Sequence, residues 1–165
     1  MRLIAWDEVR LRIDGERFSE LLCEKIAESG APVENLTLNF GQDEAEVQGR
    51  FRGLLGIPFR MRLLPPRVES GFLRIPIEIL GVLGAPMEKL LEWFAPADLL
   101  EGRVLLDREE PAILIDIESF LPDFVDLESL DVRFEIGGIL VETGPGSADL
   151  PPGSRDSQPE RDSDE

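Results

Sequence analysis

The sequence predicts an α+β protein in which a curved, highly twisted antiparallel sheet wraps around one long and one short helix. Several consecutive segments alternate apolar and polar residues with the two-residue period that is typical of half-buried strands. Only two segments show the spacing of an amphipathic helix. Because strands and helices do not alternate along the chain, a parallel sheet is not expected. The 165 residues are enough for one domain with a packed core.

The first predicted elements are a strand and the long helix. Residues 9–13 alternate aliphatic side chains with arginines, which indicates a strand. Asp14 is a suitable N-cap for a helix that runs to about Ser29, and Gly30 is a suitable C-terminal stop. Cys23 flanks the apolar side of this helix, where a half-buried structural thiol is expected. That apolar side consists of Phe18, Leu21, Leu22 and Ile26.

The middle of the chain predicts an antiparallel meander with one apolar and one wet face. Segments 36–40, 45–52 and 57–63 alternate cleanly, and a looser strand signal follows at 75–79. A short helix is then predicted from Pro86 to Phe94, because proline suits a first helical position and the apolar residues fall on one side. The remaining strand signals lie at 104–106, 113–117, 130–136 and 139–141.

The last segment, from 144 to 165, is rich in Pro, Gly, Ser and Asp and has few apolar residues. Such a composition cannot bury enough surface to offset its ordering entropy, so a disordered acidic tail is expected. The predicted organisation is therefore a single domain over 1–143 followed by the tail.

Composition excludes several classes of function. The chain carries 17 basic and 34 acidic residues, a net charge of −17, which opposes binding to nucleic acid and to anionic membranes. Histidine and tyrosine are absent and Cys23 is the single cysteine, which removes Ser-His and Cys-His nucleophile pairs and thiolate metal sites. We therefore expect a protein that is not an enzyme and that has no cofactor and no metal. Early charges at the N-terminus and the lack of a long apolar run predict a cytoplasmic protein without stable membrane insertion.

The predicted strands offer more large apolar side chains than the two predicted helices are expected to cover. The face that they form fills a solid core if the sheet closes tightly, which is the commoner outcome, or lines a groove for an acyl chain. The sequence leaves both alternatives open. The residues predicted to contact such a ligand are Phe51, Phe59, Met61, Leu90, Leu91 and Phe94.

A basic segment interrupts the acidic chain. Residues 50–74 contain six arginines and one acidic residue, and the predicted hairpin places four of the arginines on its wet face. Like charges on adjacent strands repel, so carboxylates are expected close by. Glutamates of flanking strands are the first candidate source, and an acidic partner is the second. The arginines are Arg50, Arg52, Arg60 and Arg62, and the flanking glutamates are Glu44, Glu46, Glu78, Glu135 and Glu142.

The segment from Pro111 to Thr143 resembles the closing part of small bacterial proteins of the tubular lipid-binding (TULIP, BPI-like) superfamily. A Leu121-Pro122 pair precedes a strand, and a Gly138-Ile-Leu-Val141 segment matches the type of final strand found there. The resemblance extends over about residues 14–143. It implies a TULIP-like curled sheet around a helix, an apolar cavity for lipid tails and no catalytic residues.

Two functions are predicted from these observations. The first is a non-catalytic protein that binds a hydrophobic small molecule or lipid on the apolar face of its curved sheet. The alternative is a protein–protein interaction module, with a homodimer as one form of it, that uses the arginine-rich face on an acidic partner.

Overall fold

The computed structural model describes residues 2–52, 56–82, 103–107 and 109–149. Within them lie one α-helix, α1 (Gly15–Glu28), and a 3₁₀ turn at Glu118–Phe120. The strands are β1 (Arg2–Trp6), β2 (Val9–Asp14), β3 (Val33–Phe40), β4 (Ala45–Phe51), β5 (Pro58–Leu63), β6 (Arg67–Glu69), β7 (Phe72–Val82), β8 (Val104–Asp107), β9 (Ala112–Asp116), β10 (Val125–Leu127), β11 (Leu130–Glu135), β12 (Gly138–Thr143) and β13 (Gly146–Asp149).

The strands are arranged in antiparallel sheets. The largest has the order β3-β4-β5-β7-β9-β8, with β6 paired to β7 as a seventh strand. Two three-stranded sheets have the orders β11-β12-β2 and β1-β13-β10. The main sheet curls into half of a barrel, and β11 packs beside β6. The predicted α+β class with a curled antiparallel sheet is confirmed at this level.

The boundaries of α1 follow the sequence signals. The Asp14 carboxylate accepts a hydrogen bond from the backbone N–H of Arg17 at 3.0 Å, as an N-cap does. The helix ends at Ser29, and Gly30 adopts a φ of +71°, a left-handed conformation that glycine adopts without a steric cost. The predicted start and end of the long helix are confirmed.

The apolar side of α1 is narrower than its sequence predicts. Phe18, Leu22 and Ile26 pack into the core, whereas Leu21 is 54% exposed. Each residue advances an α-helix by about 100°, so Leu21 points away from the direction of Leu22. The prediction for Leu21 was therefore wrong.

The core lies between α1 and the main sheet. Phe51 and Phe59 come from adjacent strands, and their ring centroids are 4.6 Å apart. Phe40 links this layer to the helix and to the second sheet, since its ring contacts those of Phe18 and Phe134. The buried cluster consists of Ile26, Val33, Leu38, Ala45, Val47, Phe51, Phe59, Met61, Ile77 and Phe134.

The ordered domain extends beyond the predicted boundary at 143. Residues Gly146–Asp149 form β13, which pairs with both β1 and β10. A Cβ atom at Gly146 would lie 2.5 Å from the Trp6 ring, so this strand needs a glycine where the indole covers it. Its four residues carry no strand-like apolar alternation, so the sequence pattern does not predict this strand. Backbone hydrogen bonds to β1 and β10 and the contact with Trp6 hold it in place. The rest of the predicted tail, 150–165, and the predicted short helix lie outside the described residues.

Candidate functional site

One face of the main sheet is apolar from β3 to β8, and we call it the core face. The register places Val47, Met61 and Ile79 in one row across three strands. On the next strands, Leu73 pairs with Ile115. Opposite residues in an antiparallel pair share a face, and Leu73 and Ile79 lie on the same face of β7 because an even number of residues separates them. Both sets of apolar residues therefore lie on one face of the sheet. Further members of the same face are Leu38, Ala45, Leu63, Ile75, Ile77, Ile113 and Val104.

The half of the core face on β3, β4 and β5 is tightly packed. α1 rests chiefly on β3, with smaller contacts to β12 and β2. Phe51, Phe59 and Met61, three of the predicted ligand-contacting residues, are only 1–3% exposed and belong to the core cluster. The structure thus places them together, among core side chains. The other three, Leu90, Leu91 and Phe94, lie outside the described residues.

The half of the core face on β7, β9 and β8, which we call the far half, is less enclosed. Five aliphatic side chains here are half-buried, and two of them, Ile75 and Ile113, pack against the core cluster, whereas Ile77 of the same strand β7 is itself buried. The principal contacts of α1 do not reach these strands. The far half consists of Leu73, Ile75, Ile113, Ile115 and Val104.

The wet face of the β4–β5 hairpin carries its own counter-charges. Arg60 forms a bidentate ion pair with Glu46, with both N···O distances at 2.8 Å. Arg62 lies 3.1 Å from a carboxylate oxygen of Glu78 and 3.3 Å from one of Glu44. The hydrogen bonds from Arg60 and then Gln48 lower the pKa of Glu46. Glutamates of β4, β7 and the β3–β4 turn therefore meet the arginines of β5, as the first of the two alternatives expects.

The other two arginines, Arg50 and Arg52, lie near a fourth acidic side chain. Arg52 lies 3.7 Å from Glu34, and Arg50 stands opposite Glu34 in the β3–β4 register. Two of the glutamates named from the sequence sit elsewhere. Glu142 lies on β12 and pairs with Arg10 and Arg133, and Glu135 lies on β11. The hairpin thus uses four nearby carboxylates, of which sequence alternation identified three.

A charged groove lies on the outer side of the sheet, between the β6–β7 hairpin and the β8–β9 turn. It encloses about 520 Å³. Arg74 donates hydrogen bonds to Asp107 at 2.9 Å and to Glu110 at 3.0 Å. The bond from Arg74, with a backbone N–H bond from Glu110, lowers the pKa of Asp107. Such walls do not suit an acyl chain. The lining residues are Arg67, Glu69, Arg74, Pro76, Glu109, Glu110 and Pro111.

The described residues contain no group of three or more Cys, Asp or Glu side chains placed to hold a metal ion. Among the helices that can be described, none has both the length and the apolar character to cross a membrane. Comparison with known proteins found no matching family model, no matching curated protein and no matching solved structure.

Proposed function

We propose that this protein binds a hydrophobic ligand, a lipid or an acyl chain, on the far half of its core face. One observation carries the proposal. The apolar face continues past the strands on which α1 chiefly packs, onto β7, β9 and β8, where the five side chains of the far half are half-buried. Burial of such an apolar surface under a ligand removes it from water, which lowers the free energy and favours binding.

The far half fits a chain-like ligand better than a polar one. Adjacent strands lie about 4.8 Å apart, so β7, β9 and β8 offer a platform about 10 Å across. Each methylene group buried on it contributes about 0.8 kcal/mol. The face supplies branched aliphatic side chains and no charged one. It therefore holds a ligand by burial of apolar area.

The sequence resemblance supports the same proposal. TULIP-like proteins wrap a curled sheet around a helix and bind lipid tails on the apolar side. The absence of histidine and tyrosine agrees with a binding role, because no conventional nucleophile pair is available.

The ion pairs favour this function over the alternative one. A partner that binds the arginine-rich hairpin needs cations whose charge is uncompensated. Arg60 and Arg62 already have carboxylates from Glu44, Glu46 and Glu78 of the same chain. An acidic partner would have to displace these pairs.

Two adjacent residues of β8 provide the experiment. Val104 is half-buried on the core face, whereas Leu105 is 48% exposed on the opposite face of the same strand. We expect Val104→Trp to fill the far half and weaken binding of a fluorescent fatty acid. Exclusion of about two methylene groups corresponds to about tenfold in Kd. The Leu105→Trp control should bind as the unsubstituted protein does.

Fluorescence titration measures the affinities, and native mass spectrometry followed by solvent extraction identifies a co-purified acyl species. Circular dichroism verifies that both variants are folded. Equal affinity of the two tryptophan variants would refute the assignment to the far half. Failure of the unsubstituted protein to bind any acyl probe would refute the function itself.

A further inference from the structure

The charged groove between the β6–β7 hairpin and the β8–β9 turn has no part in the proposed acyl site. Its volume of about 520 Å³ lies within the range of about 300–1,000 Å³ that is typical of small-molecule sites. Both of its walls are charged. The strands β6 and β7 supply Arg67, Glu69 and Arg74, and the β8–β9 turn supplies Glu109 and Glu110. These side chains decide which kind of ligand the groove can hold.

The charge of Arg74 is compensated within the protein. Its guanidinium donates hydrogen bonds to the Asp107 carboxylate at 2.9 Å and to the carboxylate and carbonyl of Glu110 at 3.0 and 3.2 Å. The other oxygen of Asp107 accepts the backbone N–H groups of Glu109 and Glu110. Only 18% of the Arg74 side chain is exposed. Arg74 therefore joins the turn to β7 as part of the groove wall and leaves no free charge for a ligand.

Three other charged residues of the groove wall keep their charges uncompensated. Arg67 is exposed and forms no ion pair with any carboxylate of the described residues. Its opposite residue across the β6–β7 pair is Arg74, whose like charge repels it. Glu69 and Glu109 are also exposed, and within the part of the chain that the structure describes neither forms an ion pair. The groove thus offers one cation and two anions to a ligand.

The positions of these three residues set the charge pattern of a matching ligand. Arg67 and Glu69 lie on the same face of β6, about 7 Å apart along the strand, because alternate residues of a strand point the same way. Glu109 faces them from the β8–β9 turn. An anionic group therefore fits at Arg67, and a cation fits between Glu69 and Glu109. Pro76 and Pro111 supply apolar lining for a carbon linker that joins the two charges.

We propose that the charged groove binds a small zwitterion in which a short carbon linker joins an ammonium group to a phosphate or a carboxylate. Arg67 holds the anionic group through the paired N–H···O bonds that a guanidinium forms with either oxyanion. Glu69 and Glu109 hold the ammonium group. The inference is independent of the proposed acyl ligand, because the groove and the far half lie on opposite faces of β7. Since its charges are exposed, the site binds with a Kd on the order of 1 mM.

Titration of the full chain with phosphoethanolamine and with 4-aminobutyrate tests the proposal, with backbone amide chemical shifts in NMR spectra as the readout. We expect saturable shifts that are confined to β6, the adjoining part of β7 and the β8–β9 turn. Ethanolamine and inorganic phosphate each carry one of the two charges alone and should bind at least about tenfold more weakly. The tighter of the two zwitterions identifies the anionic group that Arg67 holds.

Matched charge removals separate the groove from the general field of a protein with a net charge of −17. Arg67→Gln, Glu69→Gln and Glu109→Gln should each raise the Kd of the zwitterion by about five- to tenfold. Arg17→Gln and Glu20→Gln remove the same charges from exposed positions of α1 and should leave the Kd unchanged. Lack of saturable binding by both zwitterions would overturn the proposal. So would ethanolamine that binds as tightly as the zwitterions, or equal effects of the groove and α1 substitutions.

Discussion

The contact between Gly49 and Phe59 makes the sharpest prediction about stability. Gly49 lies on β4 directly opposite Phe59 on β5. A Cβ atom at position 49 would lie 2.6 Å from Cζ of Phe59 and 2.8 Å from Cε1, closer than carbon atoms approach without displacement. Phe59 is 3% exposed and its ring packs on Phe51, so it has little room to move.

The size of the effect follows from two opposing contributions. Overpacking of a core costs about 1–3 kcal/mol. Replacing a strand glycine by alanine stabilises the folded state by about 0.5–1 kcal/mol, because glycine loses more backbone entropy on folding. We expect Gly49→Ala to lower the free energy of unfolding by about 1–2 kcal/mol. In a Phe59→Leu background the aromatic ring that a Cβ atom would meet is absent. There Gly49→Ala should raise the free energy of unfolding by about 0.5–1 kcal/mol.

Urea denaturation followed by circular dichroism measures all four proteins of this double-mutant cycle. The sign change between the two backgrounds is the diagnostic result. Gly41→Ala provides a control, because its Cβ would meet neighbours no closer than 3.6 Å and its effect should not depend on residue 59. If Gly49→Ala destabilises both backgrounds equally, the packing argument is refuted.

Two further predictions concern local electrostatics and capping. Asp14→Ala should lower the free energy of unfolding, measured by urea denaturation, by about 0.5–2 kcal/mol, because α1 loses its N-cap. Asp14→Ser should retain most of the original stability, since serine also caps helices. An equal loss in both variants would contradict the capping role. The hydrogen bond from Arg74 lowers the pKa of Asp107 in the folded state below its ordinary value of 3.8. The stability that this contact contributes is therefore fully present above pH 3.8 and is lost as the pH falls through the lowered pKa of the folded state. Thermal denaturation between about pH 5 and pH 3 should therefore show a smaller loss of Tm in Asp107→Asn than in the unsubstituted protein, and parallel pH profiles would exclude the contribution.

The site illustrates how far alternation alone can predict a contact. Alternation indicated that Arg60 and Arg62 share one face of the sheet and that glutamates of flanking segments lie within reach. The ion pairs with Glu44, Glu46 and Glu78 agree with that expectation. These contacts follow from register between neighbouring strands. The Arg74–Asp107 pair was missed, because 33 residues separate its members and only the β7–β9–β8 order brings them together.

For the apolar residues, alternation predicted the face of the sheet but not the degree of burial. Phe51, Phe59 and Met61 were expected on an apolar face, and they lie on one. Alternation gives the side of the strand on which a residue lies, but not what packs against it. The position of α1 over β3 decides that these side chains are core, whereas the five side chains of the far half stay half-buried.

The sequence by itself determined the elements whose signals are local. These include α1 with its caps, the strands of the β3-β4-β5 meander and the absence of histidine chemistry, because periodicity, capping and composition act within a few residues. Only the tertiary structure decided that β13 pairs with β1 and β10, that β2 is the last described strand of the β11-β12-β2 sheet and that the apolar face has a packed and a less enclosed half. Those outcomes depend on which distant segments meet, and the free energy of such contacts is not encoded in the alternation of any one segment.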